Sequence, residues 1–431
     1  MISNNTKGKI MNGNIYDNYL KILHSELIPA LGCTEPIAIA FAAAKLSEVL
    51  GGMPEQMIAA CSGNIIKNVK GVVVPNSGGL RGVEAAAVLG AYAGKAELEL
   101  EVISRVTEAE QEQVKQLWEQ GICICELVSG EENLYIRMTG KLGSDEASVV
   151  VKEEHNHISK IVKNGEILFE QETVRREENG DKSLLNLKDI LKFANTVSVE
   201  EIKELLDRQI ALNSAISKEG LENDWGVEVG KTLLALDGEN LRTKLKAAAA
   251  AGSDARMSGC SMPVVINSGS GNQGITVSMP VIVYASETGA EREQLYRALV
   301  LSNLISVHQK RYIGNLSAYC GAVSAGTAAA CGIAYLDGAG YDVIGKIIIN
   351  SLGAVGGIVC DGAKASCAAK IASAVEAGLL AYEMAKKGKA YAFGEGVVEG
   401  DYEQTIRNIG RMGREGMRST DEEILHIMTG E

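Results

Sequence analysis

Four of the nine cysteines in this 431-residue chain, Cys320, Cys331, Cys360 and Cys367, stand among Gly, Ala and Ser. The stretch reads KRYIGNLSAYCGAVSAGTAAACGIAYLDGAG, then an apolar run, then NSLGAVGGIVCDGAKASCAAKIASA. Small residues let backbones approach one another or a ligand closely. A thiol in such surroundings is either core filler or a ligand for something compact. On one continuous helix, Cys320 and Cys331 would stand about 16 Å apart, and Cys360 and Cys367 roughly 10 Å apart. Read that way, each pair gives at most one ligand to a compact centre. Cys360 precedes Asp361, Gly362 and the helix-like run AKASCAAKIASAVEAGLLAYEMAKK. It therefore sits at a helix entrance, where free N–H groups and the positive dipole end favour a thiolate. Cys367 falls about two turns inside the same helix and reads as buried and inert.

A third setting of this kind lies near the N-terminus. In LGCTEPIAIAFAAAKLSEVLG, Cys33 precedes Thr34, a plausible N-cap, with Glu35 and Pro36 in the first turn. Cys33 is then another thiol at a helix mouth, to be weighed as a ligand against a buried cysteine beside a turn. Three polar, glycine-bearing segments are candidate anion loops. CSGNIIKN and PNSGGLRG flank a strand-like GVVV (71–74), and the second offers Asn76, Ser77 and Gly78. INSGSGNQG offers Ser268, Ser270, Gly271, Asn272 and Gln273 between apolar segments. It lacks the GxGxxG of a dinucleotide site and the GK[ST] of a P-loop. Its physical reading is a nest of N–H groups for a small anion such as a carboxylate, against an ordinary glycine-rich turn. Arg256, just before it, is suited to bidentate pairing with a carboxylate. His308 and Lys310, shortly before Cys320, are the proton carriers nearest to the cysteine-rich stretch.

The elements that must hold these residues follow from composition. Aromatics make up only 4% and glycines number 48, so the core is built from small aliphatic residues with close backbone contacts. From 96 to 174 the charge rises, glycines scatter, and period-2 segments appear. ELELEVISR, ICICELVS, LYIRMTGKLG, EASVVVKEEHNHISKIVK and EILFE read as strands around the helix TEAEQEQVKQLWEQG. The expectation is an α+β protein: a mainly helical, Gly/Ala-rich catalytic domain (1–95 and 175–431) interrupted by a small α+β domain (96–174), with a polar linker at 176–186. Cys123 and Cys125 share a strand face and lack a second pair at zinc spacing, so they read as core. His155 and His157 have the same geometry and are a weak metal signal.

The net charge of −13 argues against binding nucleic-acid phosphates. No run is long and apolar enough to span a membrane. The polar MISNNTKGKIMNGN does not resemble a signal peptide, and nine cysteines suit a reducing compartment. The expectation is a cytoplasmic protein acting on a small molecule. Gly/Ala-rich faces suit packing between subunits as well as within one, which leaves a homo-oligomer open.

LGCTEPIAIA, SGNIIKN, PNSGG, GSDARMSG, NSGSGNQGI, HQKRYIGNLSAYCGAVSAG and GGIVCDGAKASCAAKI occur in this order between residues 31 and 370. Together they resemble the UPF0597 family of L-cysteine desulfidases, related to the catalytic (alpha) part of iron–sulfur L-serine dehydratases. The motifs leave the inserted domain unmatched. The resemblance implies an oxygen-labile [4Fe–4S] cluster held by three cysteines, with one iron open to substrate. It implies breakdown of L-cysteine to pyruvate, ammonia and hydrogen sulfide without pyridoxal phosphate. The matching ligand positions are Cys33, Cys320 and Cys360. The cysteine after the Cys-Asp dipeptide is a ligand in the serine dehydratases but lies further along than Cys367 does here. If this chain follows their pattern, Cys367 replaces Cys33.

Three other readings compete. An L-serine dehydratase would use the same cluster. A non-catalytic iron–sulfur or small-anion binding protein would hold a ligand without turnover, and a zinc protein would use the same thiols without inorganic sulfide.

Overall fold

The computed structural model describes residues 13–171, 179–314 and 316–430. The N-terminal dodecapeptide and the start of the 176–186 linker lie outside them. Helix Gly13–Glu26 leads into a short strand, β1 (Pro29–Leu31), and then helix Thr34–Leu50. Cys33, and not Thr34, occupies the N-cap of that helix. Strand β2 (Gln56–Ser62) runs directly into helix Gly63–Val69, where SGNIIKN was expected to be a loop. Helices Val83–Ala93 and Glu108–Glu119 follow, the second closed by a Thr107/Glu110 capping box.

Strands β3 (Cys123–Val128), β4 (Tyr135–Leu142), β5 (Asp145–Lys152), β6 (Ile158–Lys163) and β7 (Glu166–Glu170) match the four later period-2 segments, EASVVVKEEHNHISKIVK supplying both β5 and β6. With β2 they form one sheet in the order β3-β2-β4-β5-β6-β7, in which only β2 and β3 run parallel. The sheet thus includes a strand upstream of residue 96.

Two expected strands are corrected. ELELEVISR forms a 3₁₀ helix at Ala96–Glu101, kinked at Glu99 (φ 46°). It packs against helix Thr34–Leu50 and β1 without joining either sheet. GVVV contributes only an isolated bridge from Val73 to Arg81. Pro75 and the turn beyond it stop propagation.

The rest is helical apart from β8 (Pro263–Val265), which pairs with β1. Helix Gly321–Leu336 is buried along nearly its whole length. It packs against helices Gly271–Thr288, Arg292–Ile313, Tyr341–Val355 and Cys367–Lys386. The molecule is α+β and mainly helical. Among the described residues, no helix is long and apolar enough to cross a membrane.

Candidate active site

Two segments far apart in sequence set the central thiols. Tyr319 and Val359 form an isolated antiparallel bridge. The Cys320 N–H donates to the Ile358 carbonyl at 3.1 Å, and the Cys360 N–H to that of Ala318 at 2.6 Å. Cys320 and Cys360 each lie one residue beyond the bridged pair, so both project from the same side of this short ladder. Cys320 also caps helix Gly321–Leu336. Cys331, in that helix's interior, is fully buried, with its thiol against the Ile344 carbonyl.

The expected continuous helix through Cys360 and Cys367 does not form. Residues 361–366 are non-helical, and Cys367 is the first residue of helix Cys367–Lys386. The spacing argument against using both thiols therefore lapses, and both line one cavity of about 100 Å³ together with Cys33 and Cys320. The turn between them is firmly anchored. Asp361 is gripped by Lys364 and Lys370, and the Lys370 ammonium also donates to the Val359 carbonyl. Gly362 has φ +94°, and a Cβ there would lie 2.3 Å from the Lys67 carbonyl. Lys67 is buried and pairs with Asp421 from the C-terminal helix.

The segment 267–273 forms another wall. Ser270 caps helix Gly271–Thr288, so the glycine-rich loop opens into a helix N-terminus. Ser268, Ser270, Asn272 and Gln273 line the cavity. Arg256 is buried, and its Nη1 donates to the Asn272 side-chain oxygen at 3.1 Å. Gly271 and Gly321 are needed for packing: a Cβ on the first would meet Arg256 Nε at 2.3 Å, and one on the second would meet the Gln273 amide at 2.5 Å.

Lys310 reaches the cavity from helix Arg292–Ile313 and is buried. Burial lowers its pKa to about 8, although the Cys360 and Cys320 thiols act in the opposite direction. His308, two residues earlier on the same helix, is not among the lining residues. Its Nε2 bonds Glu403 at 2.7 Å and its ring packs edge-on against Tyr312. Asn76, Ser77 and Gly78 also lie outside the lining. Asn76 bonds the Ile103 carbonyl and Ser77 the Leu80 carbonyl, so this loop serves its own neighbourhood.

The lining residues not singled out from the sequence as site residues include Glu35, Asn68 and His155. Glu35 accepts from the Cys33 thiol at 3.0 Å and from Asn68 Nδ2 at 3.1 Å. The turn between β5 and β6 delivers His155, with Nε2 4.0 Å from Glu35 Oε1. The presence of Glu35 in LGCTEP, two residues from Cys33, was a usable signal. His155 had carried only a weak metal signal, paired with His157, and nothing local tied it to Glu35, which the folded chain brings to it.

Burial raises the Cys320 thiol to about 12 and raises those of Cys33 and Cys367 as well. Cys360 acts on both Cys320 and Cys367 in the same direction. The charged neighbours of Cys33 are instead Glu35 and Arg256. In packing, Cys367 lies against the small apolar cluster of Cys33, Val72 and Met257, whereas Cys320 and Cys360 belong with the main core. Five buried polar atoms on lining residues have no hydrogen-bond partner: Asn68 Oδ1, His155 Nε2, Arg256 Nε, Gln273 Oε1 and the Tyr319 hydroxyl. Such groups are costly unless a ligand or water satisfies them. Among the described residues, no group of three or more His, Cys, Asp or Glu is arranged to hold a single metal ion. Cys33, Cys320, Cys360 and Cys367 line the same cavity, and thiolates are the residue type that iron–sulfur clusters take, one per iron.

The model of the serine dehydratase alpha chain matches residues 97–426. A UPF0597 protein of Finegoldia magna is 50% identical over 415 residues, covering 95% of this chain and 99% of the relative. One from Desulfitobacterium hafniense is 49% identical over 96% of each chain. The chain belongs to the UPF0597 family, related to the serine dehydratase alpha chain. A UPF0597 protein of Treponema denticola is 46% identical over 421 residues, 96% of this chain and 98% of its own. The matches to this UPF0597 chain run through residues 97–174, which the sequence motifs had left unmatched.

Proposed function

We propose that this protein is an L-cysteine desulfidase: an iron–sulfur lyase, independent of pyridoxal phosphate, that converts L-cysteine and water to pyruvate, ammonia and hydrogen sulfide. The observation that carries the reading is one cavity walled by four cysteines, Lys310 and Arg256. Cys320, Cys360 and Cys367 hold the [4Fe–4S] cluster in this reading. Cys367 takes the third place in this reading because it starts its helix on the cavity wall, whereas the Cys33 thiol is hydrogen-bonded to Glu35. When bound, the cluster supplies Lewis acidity at an open iron to the departing sulfur.

The chain's own residues do the rest. The Arg256 guanidinium and the N-terminus of helix Gly271–Thr288 bind the carboxylate, helped by Ser268, Ser270, Asn272 and Gln273. Among the described residues, no ion pair ties up the Lys310 ammonium, so this lysine is available to carry the α-proton. The Cys33–Glu35 pair is the other proton-bearing group on the wall. The protein works in this reading as a cytoplasmic enzyme on a free amino acid.

A second reading, L-serine dehydratase with the same cluster, is favoured by the family model's description. Anaerobic purification and reconstitution with iron and sulfide, followed by assays on both amino acids, separates the two. A brown protein with about four irons that releases sulfide and pyruvate from L-cysteine supports the first. Turnover of L-serine alone moves the protein to the second. A colourless, inactive protein overturns both.

A further inference from the structure

We propose that Glu35, Asn68 and His155 form the subsite that receives the α-ammonium group of the substrate. The inference rests on the α-amino-acid reading above and adds residues from the opposite wall. Glu35 is the only carboxylate among the described residues lining the cavity. Its Oε1 accepts from Asn68 Nδ2 and its Oε2 from the Cys33 thiol, and His155 and Arg256 line the same cavity. A buried carboxylate facing a cavity attracts a cation of matching size.

Asn68 supplies the second contact. Its Nδ2 is committed to Glu35 Oε1. That fixes the amide and leaves Oδ1 buried without a donor. An ammonium carries three N–H donors, and a carboxylate beside an unpartnered amide oxygen meets two of them. His155 closes the other side of Glu35. It is 6% exposed, its Nε2 is unpartnered, and burial keeps it neutral. A neutral imidazole packs against the carboxylate without competing for it as a fixed cation would.

The opposite pole is Arg256, whose Nε is also buried and unpartnered. A zwitterion laid from Glu35 to Arg256 meets opposite charge at both ends. In this scheme the sheet contributes directly to recognition, through the turn that carries His155.

Calorimetry on the full-length, reconstituted protein tests this with L-alanine and propionate. The two differ by the ammonium and undergo no elimination. The wild type should bind L-alanine at least tenfold more tightly. Glu35→Gln and Asn68→Ala should each reduce that preference to within threefold, with propionate affinity and iron content unchanged. His155→Gln should weaken L-alanine alone. A wild type without the preference, or both Glu35→Gln and Asn68→Ala proteins that keep it, overturns the subsite. So does equal loss of both ligands in variants with unchanged melting temperature. If the wild type shows the preference yet releases no sulfide from L-cysteine, the subsite stands and the desulfidase reading falls.

Discussion

Two sets of cysteines in this molecule have opposite surroundings. Cys33, Cys320, Cys360 and Cys367 sit where the backbone stops being regular: two helix N-caps, a bridge end and a helix start. They share a cavity with unpartnered polar atoms. Cys61, Cys123 and Cys125 sit in the regular ladder between β2 and β3. There Met57 pairs with Cys123, Ala59 with Cys125 and Cys61 with Leu127, so all three thiols lie on one face. Cys61 and Cys125 hydrogen-bond to each other, which holds the proton on Cys61 and lowers Cys125. Burial raises Cys123 to about 12. The lesson is that regular pairing satisfies neighbouring groups with each other, whereas element ends leave donors and acceptors for something else.

The largest effect expected is at the bridge. Cys320→Ala or Cys360→Ala should remove essentially all cluster iron and all sulfide release, read by iron analysis and the visible spectrum. Cys61→Ala and Cys123→Ala should retain full iron and lose only roughly 1–2 kcal/mol of stability in a denaturant melt. Iron loss in a sheet variant, or full iron in a bridge variant, would break the contrast.

Within the cavity set, Cys367→Ala should lose iron as severely as the bridge variants. Cys33→Ala should keep the iron while losing turnover. The reverse pattern restores Cys33 as the third ligand.

Next in size is the lysine. Lys310→Met should keep its iron and lose about 10²- to 10⁴-fold in kcat, the usual range for removing a proton carrier. His308→Gln should leave kcat within a few-fold, because that imidazole is held by Glu403 outside the cavity.

The smallest effect concerns stability alone. Asp254 is buried, accepts the Gly230 N–H at 3.0 Å, and burial raises its carboxyl to about 6. A carboxyl raised in the folded state holds its proton there while the unfolded chain releases it. Its contribution is therefore fully present below about pH 4 and fades as pH rises through about 6. Asp254→Asn should flatten that slope and stabilise the protein at pH 7 by roughly 2 kcal/mol. An unchanged pH–stability curve would show that Asp254 does not titrate in this way.

Local pattern alone determined a good deal. Period-2 alternation located β3 to β7, and small-residue runs marked the helices that pack most closely. The settings of Cys33 and Cys360, and the glycine-rich segment before Gln273, pointed to the residues that now face one cavity. In each case the physical cause acts within a few residues, through side-chain periodicity, a cap or a turn. Tertiary structure decided the rest. ELELE alternates like a strand but folds as a 3₁₀ helix against helix Thr34–Leu50 and β1. Cys367 looked two turns away from Cys360 until the turn at residues 361–366 brought both to one wall. His308 and Lys310 lie two apart on one helix and so point about 200° apart around its axis, one into the cavity and the other toward Glu403. His155 reaches Glu35 only because helix Thr34–Leu50 packs on β4 and β5, and the turn after β5 carries His155 to that helix's first turn. Such contacts join residues more than a hundred positions apart, and no local spacing encodes which pairs will meet.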